Sequence, residues 1–441
     1  MQWFHIPAAA LGCALVISSA GLAGDEDGHY AIRLHLDPAT SHLNADITIT
    51  LPVDQAREGA GFFLGDRFTL EAISTDSGGR ITLAPESGVL PGTRLISVEY
   101  PDDLAEPAVL RVAYSGELNI SGDRTVNALT AAGLELRVDF MWLPTVTGIN
   151  LQYTADAQIS GLPDDWTIVT QGEAVRDDEG VVHVHRNQPD IDFVLVAAPG
   201  LERRSAPGVH VYARDFDFIL TDIATRHAAL SVEWLQDWMG PLPYGDVSLT
   251  VLPEGSGAYA RRGYIVMSEG RAQIEAMEEE LPEWGPARLV AHEFAHAWWS
   301  PADAMTEHYW LTESVAEYVA VRYVEDMFDV ETANIFWEAK RERALASGPL
   351  TGGDRRGSGN ALYQRGPMLL QALEHRVGRE ALDRVIGRLA PIGPRLTQQF
   401  LDVLAEEAGP EAASWFDAQL ASGPGPWDGA EETEDADQSD R

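Results

Sequence analysis

The chain has 441 residues, a hydrophobic fraction of 45% and a formal net charge of −38. That length allows two or three domains with a large core, and the hydrophobic content is ordinary for a globular protein. The acid excess and the lack of any basic stripe exclude nucleic acid as a partner; Lys340 is the only lysine, every other strong base being arginine.

In chain order, an apolar run from Ile6 to Ala23 comes first, closed by Ala20-Gly21-Leu22-Ala23 and followed by acidic Asp25-Glu26-Asp27. Residues 1–23 read as a secretory signal with cleavage near Ala23, implying a secreted or periplasmic protein. No lysine or arginine precedes the run, so an uncleaved membrane anchor is the alternative. Cys13, the sole cysteine, lies in this segment, and the mature chain is expected to carry no disulfide.

Residues 24–205 read as an antiparallel β domain. Tyr30, Ile32, Leu34 and Leu36 alternate with other residues, as do Leu43, Ala45, Ile47, Ile49 and Leu51. This period of two marks half-buried strands. Further strand-like pieces cover Ile96–Tyr100, Ala108–Tyr114, Ile168–Thr170 and Phe193–Ala197, with glycine, proline and aspartate between them. Trp142-Leu143-Pro144 is either a cleft wall or core packing. His183 and His185 share one face of a strand and read as surface residues, since a metal site needs a larger cluster.

From about Asp215 the period becomes helical, with Phe218, Ile219, Ile223, Leu230, Trp234, Leu235 and Trp238 on one pattern. Val247–Leu252 and Tyr264–Met267 read as strands, and helices follow through Leu420. Residues 206–422 thus form a second domain, and 423–441 are an acidic tail expected to be disordered. The fold class is α+β.

The second domain carries His292-Glu293-Phe294-Ala295-His296 and then Glu313 within Trp310-Leu311-Thr312-Glu313-Ser314-Val315-Ala316-Glu317-Tyr318. Two histidines four apart share a helix face, so both imidazoles can reach one ion. Glu313, in the first turn of the next helix, supplies a third ligand; its alternative is an acid that merely favours a helix N-terminus. One Zn2+ with an open fourth position is the expected cofactor, and Glu293 is placed as general base. Glu317, one turn after Glu313, either fixes a histidine tautomer or is a solvated helix acid.

These strings resemble the aminopeptidase N-like (membrane alanyl aminopeptidase) family of gluzincin zinc metallopeptidases. Departures are Thr312 for asparagine, Ser314 for glycine and a loop between His296 and Glu313 two residues shorter than the family's. Asp237–Tyr244 and the Trp415-Phe416 end also resemble it. The resemblance implies a saddle-like N-terminal β domain and a thermolysin-like catalytic domain, a small sheet with zinc-binding helices. The resemblance includes no counterpart of the helical C-terminal domain of full-length members, so a more open cleft is expected. Tyr363-Gln364-Arg365-Gly366 resembles the segment bearing the family's catalytic tyrosine, so Tyr363 would donate to the oxyanion; its alternative is packing at a helix start. The family's G-A-M-E-N strand falls on Gly257-Ala258-Tyr259-Ala260-Arg261, and its amine-binding glutamate falls on Ala260. A peptide is therefore the expected substrate, with recognition of a free N-terminus in doubt and with Arg261 and Arg262 able to meet carboxylates. Rival readings are a glycyl aminopeptidase-like enzyme and a non-catalytic zinc-containing binding protein.

Overall fold

Apolar alternation builds the first half of the molecule. In strand Gly28–Asp37, Tyr30, Ile32, Leu34 and Leu36 are buried while the residues between them face outward. It pairs antiparallel with His42–Leu51 and parallel with Tyr153–Ser160. These strands belong to a seven-stranded sheet, beside which lie two four-stranded sheets. The computed structural model describes residues 27–88, 90–118, 128–138, 141–146, 152–253, 257–277, 281–353 and 355–427. The expected signal segment and residues 428–441 of the expected acidic tail lie outside the described residues.

Trp142 is fully buried and packs edge-on against Phe193, and its carbonyl accepts a hydrogen bond from the Tyr114 hydroxyl. Tyr30 binds the Pro144 carbonyl at 2.9 Å. This segment is core, the second of its two sequence readings. A tryptophan wholly removed from solvent cannot also line a cleft.

The change of sheet falls between strands Leu195–Pro199 and Glu202–Ala206. Glu202–Ala206 opens a five-stranded sheet, followed in space by Val209–Ala213, Val247–Leu252, Tyr264–Ser268 and Ala258–Arg261. The middle three strands are parallel and the two edge strands antiparallel. Ala258–Arg261 is the outer edge nearest the helices.

The helices are α1 (Val53–Arg57), α2 (Ile219–Met239), α3 (Arg271–Glu275), α4 (Trp284–Ala295) and α5 (Trp310–Met327). They continue with α6 (Val330–Leu345), α7 (Gly366–Val377), α8 (Arg379–Leu389), α9 (Thr397–Ala408) and α10 (Pro410–Leu420). Every residue of α5 from Trp310 to Val324 is buried. A helix buried on all faces is the centre of its core, not its wall. α4, α6 and α7 pack against it, α2 reaches it through His227 and Trp234, and each large apolar side chain in this cluster contributes about 1.5–3 kcal/mol by burial. No helix among the described residues is long and apolar enough to cross a membrane.

Candidate metal centre

α4 starts with Pro286 in its first turns, where the missing N–H costs nothing, and ends at His296 as C-cap. His296 keeps helical angles, φ −63° and ψ −15°, so the four-residue spacing still stacks it on His292. Their rings stand 4.9 Å apart and perpendicular. The turn after α4 buries Trp298 and Trp299, then a short 3-10 segment, Glu307–Tyr309, leads into α5. His308 Nδ1 and Trp310 Nε1 both meet the Thr397 hydroxyl at 3.0 Å, which anchors this shortened loop on α9.

α5 packs against α4 and brings Glu313 between the two histidines. Glu313 Oε2 lies 3.6 Å from His292 Nε2 and 3.8 Å from His296 Nε2. One ligand atom from each of the three residues falls within 4.8 Å of the others. Among the described residues this is the one such cluster. His292 and Glu313 are 5% and 6% exposed, so their polarity must be compensated inside the protein rather than by bulk water.

The electrostatics fit a cation. Burial opposes charge on His292, but Glu313 and Glu317 outweigh it and raise its pKa to about 10. Burial likewise opposes charge on Glu313, yet the two histidines pull it down to about 2, with help from Tyr309. Burial pushes His296 down to about 4, leaving it a neutral imidazole. A pocket that draws a proton onto a buried nitrogen favours positive charge there, which a divalent ion also brings. Two imidazoles and a carboxylate are the donor set of catalytic zinc.

Each candidate ligand is held from behind. His292 Nδ1 sits 2.9 Å from Glu317 Oε2, an ion-pair contact without hydrogen-bond alignment. His296 Nδ1 is 3.3 Å from the Trp299 carbonyl. Both contacts leave Nε2 facing Glu313. Tyr309 donates to Glu313 Oε1 at 2.6 Å. Glu317 is 4% exposed and far from a solvated helix acid. Arg288 Nη1 donates to both its oxygens at 2.6 and 2.7 Å, and Lys340 donates to Oε1. Burial would raise its pKa, but the charges of Arg288 and Lys340 hold it well below the carboxylate range.

Glu293 is buried next to His292 in the chain and feels the charges of His292 and Glu313. It is 5% exposed, and burial, reinforced by Glu313 and resisted by His292, pushes its carboxyl up to about 7. A carboxylate with that pKa can accept and return a proton near neutrality. Tyr363 lies in a π-helical turn, Ala361–Arg365, with its ring centroid 6.1 Å from that of His292. It is 38% exposed, so it is not simply a packing residue. Partial burial and the charge of Glu313 hold its phenol well above the usual range, hence protonated and able to donate.

The strand Ala258–Arg261 runs beside α4, with Gly257 at its start in the left-handed region (φ 92°). Ala258 and Ala260 pack on the helical core, while Tyr259 turns to the opposite side. Arg261 donates to the fully buried Asp192 at 2.9 Å and to the Ala260 carbonyl. Arg262 donates to the Pro189 carbonyl and stacks over Tyr244. Both arginines are thus engaged by the β half of the chain.

No protein-family model matches the sequence. Solved structures do match. The M1 zinc metallopeptidase from Deinococcus radiodurans aligns over 90% of this chain and 95% of its own, with TM-score 0.64 and 20% identity. A mutant of that enzyme bound to a Tyr-Ser-Ala substrate aligns over 92% and 97%, with TM-score 0.63 and 19% identity. LTA4 hydrolase of the yeast Saccharomyces cerevisiae aligns over 91% of this chain and 69% of its own, with TM-score 0.68 and 16% identity. The chain has the M1 metallopeptidase fold.

Within the M1 fold, the α+β class expected from the sequence stands. The expected His292, Glu293, His296, Glu313, Glu317 and Tyr363 all meet at one place. Three residues of the site escaped the sequence reading. Arg288 lies one turn before His292 on the same face, a spacing open to view. Tyr309 lies one turn before Glu313 in the same way. Lys340 had only its singularity in the composition to mark it.

Proposed function

We propose that this protein is a zinc-dependent peptide hydrolase with His292, His296 and Glu313 as metal ligands. The convergence of those three ligand atoms within 4.8 Å, with Glu293 buried beside them, carries the reading. Zinc, when bound, supplies Lewis acidity for the scissile carbonyl and the attacking water. Glu293 takes the water's proton on its carboxylate and returns it to the leaving amine. Tyr363 donates from its hydroxyl to the oxygen that gains charge. Glu317 keeps His292 oriented. A purely structural zinc site needs no adjacent base, so the buried Glu293 favours catalysis over a non-catalytic binding role.

The substrate is a peptide, laid along the edge strand Ala258–Arg261, whose outer side pairs with no other strand among the described residues. The peptide bound to the Deinococcus radiodurans mutant supports that class. Ala260 supplies no carboxylate for a terminal amine, and Arg261 adds none, so a free N-terminus is not the feature recognised at this strand.

A library of free and N-acetylated peptides, with products read by mass spectrometry, tests this directly. Wild type should cut both sets and lose all cleavage to a chelator. Zinc-loaded Glu293→Gln should lose at least about 10³-fold, the scale of general-base catalysis in a preorganised site. Full activity in that variant would end the mechanism. Strict stepwise trimming abolished by acetylation would instead restore an aminopeptidase specificity.

A further inference from the structure

Two side chains that the proposed chemistry does not use hold the Tyr363 turn to the metal-binding helix. Lys340, from α6, is 7% exposed. Its Nζ donates to the Tyr363 carbonyl at 3.0 Å and to Glu317 Oε1. One residue earlier on the turn, the Leu362 carbonyl accepts a 2.7 Å hydrogen bond from Ser314, the neighbour of Glu313. Consecutive carbonyls at 362 and 363 are therefore tied to α5, one directly and one through Glu317.

The local backbone needs such ties. A π-helical turn is wide, poorly stabilised by its own hydrogen bonds, and tends to occur where function requires it. Its end is closed by Gly366, where a Cβ would fall 1.9 Å from Ser314 Oγ. Only a glycine lets the turn approach α5 this closely. Ser314, the departure from the glycine usual in the resembled string, thus has a specific partner.

The choice of lysine is also informative. Burying an ammonium is expensive, and an apolar side chain would fill the space at lower cost. The chain has one lysine, and it is buried here. A compact ammonium with three rotatable donors bridges a carboxylate and a carbonyl here.

We propose that Lys340 and Ser314 are positioning residues that fix the Tyr363 hydroxyl relative to His292 and thereby set its donation to the reacting oxygen. This rests on the zinc-hydrolase reading above.

The test uses full-length protein and a quenched fluorescent peptide that wild type cleaves. Lys340→Met and Ser314→Ala are each made with Tyr363 intact and with Tyr363→Phe. Measured are kcat, KM, zinc content by elemental analysis, and affinity for a phosphinic dipeptide by calorimetry. With Tyr363 present, each substitution should lower kcat about tenfold, as a displacement below 1 Å would. KM should stay within about twofold and zinc content unchanged, and phosphinic affinity should fall about as much as kcat. With Phe at 363, the same substitutions should change kcat less than about twofold, because the residues act through one hydroxyl. Independent, multiplying losses in the Phe background would overturn the inference, and so would losses explained by missing zinc. If Lys340→Met does not fold, the Ser314→Ala pair decides alone by the same criteria. Unchanged kcat in Tyr363→Phe itself would remove the role given to Tyr363, and this inference with it. A Tyr363-dependent rate with multiplying variants would overturn this inference alone.

Discussion

The metal centre and the outer face of the seven-stranded sheet use the same residue types to opposite effect. On the sheet, His185 meets Asp156 at 2.6 Å, His29 lies 3.5 Å from the same aspartate, and His183 meets Asp177 at 2.7 Å. These side chains are between 38% and 66% exposed, with Asp156 serving two histidines and Asp177 one. At the metal centre the side chains of His292, His296 and Glu313 are at most 10% exposed and three atoms converge on one point. Strand geometry sends alternate side chains out in parallel, whereas two packed helices aim theirs at each other. Water satisfies the first set. Only a cation, or an awkward sharing of protons, satisfies the second.

The difference is breakable by substitution. The largest effect is expected from His296→Ala. It removes one of the three proposed ligands, so zinc content should drop to background and hydrolysis should vanish with it. A variant that keeps a full equivalent of zinc would dissolve the contrast between the two regions. Next is Glu317→Gln, which keeps the shape but removes the charge that holds His292. Zinc affinity, measured by competition with a chromophoric chelator, should weaken about 10–100-fold. Unchanged affinity would mean that the contact at 2.9 Å is incidental. The smallest effect belongs to the sheet. His183→Ala and His185→Ala should leave zinc content and kcat at wild-type values and the melting temperature within about 2 °C, because exposed pairs contribute little. Loss of metal from either would show that the sheet face binds it.

How much of this was open to reading from sequence depended on the range of the contacts. The proposed zinc-binding helix is local information: His292 and His296 are four apart, and their helix is marked by Pro286 and an apolar period. Glu313 needed only one further helix, and Glu293 needed only adjacency. Strands such as Gly28–Asp37 and His42–Leu51 were equally plain, since one of their faces is buried and the other is not. Trp142 was undecidable, because an aromatic suits a core and a cleft alike, and only the Tyr114 and Phe193 contacts decide it. The reach of Arg261 toward substrate carboxylates was read from charge alone. The structure gives it Asp192, sixty-nine positions away in the chain, which no periodicity could reveal. Lys340 and Glu317 are a similar case. Helical α6 shows almost no amphipathic pattern, and a lysine is ordinarily solvated. Its burial follows from the carboxylate on α5, a tertiary fact.

The most direct measurement is X-ray diffraction from crystals of zinc-loaded protein, recorded on both sides of the zinc absorption edge. The account predicts one anomalous peak, bonded to His292 Nε2, His296 Nε2 and a Glu313 oxygen at about 2.0–2.2 Å. No peak at that position, or a peak on His183 and His185 in its place, would contradict it.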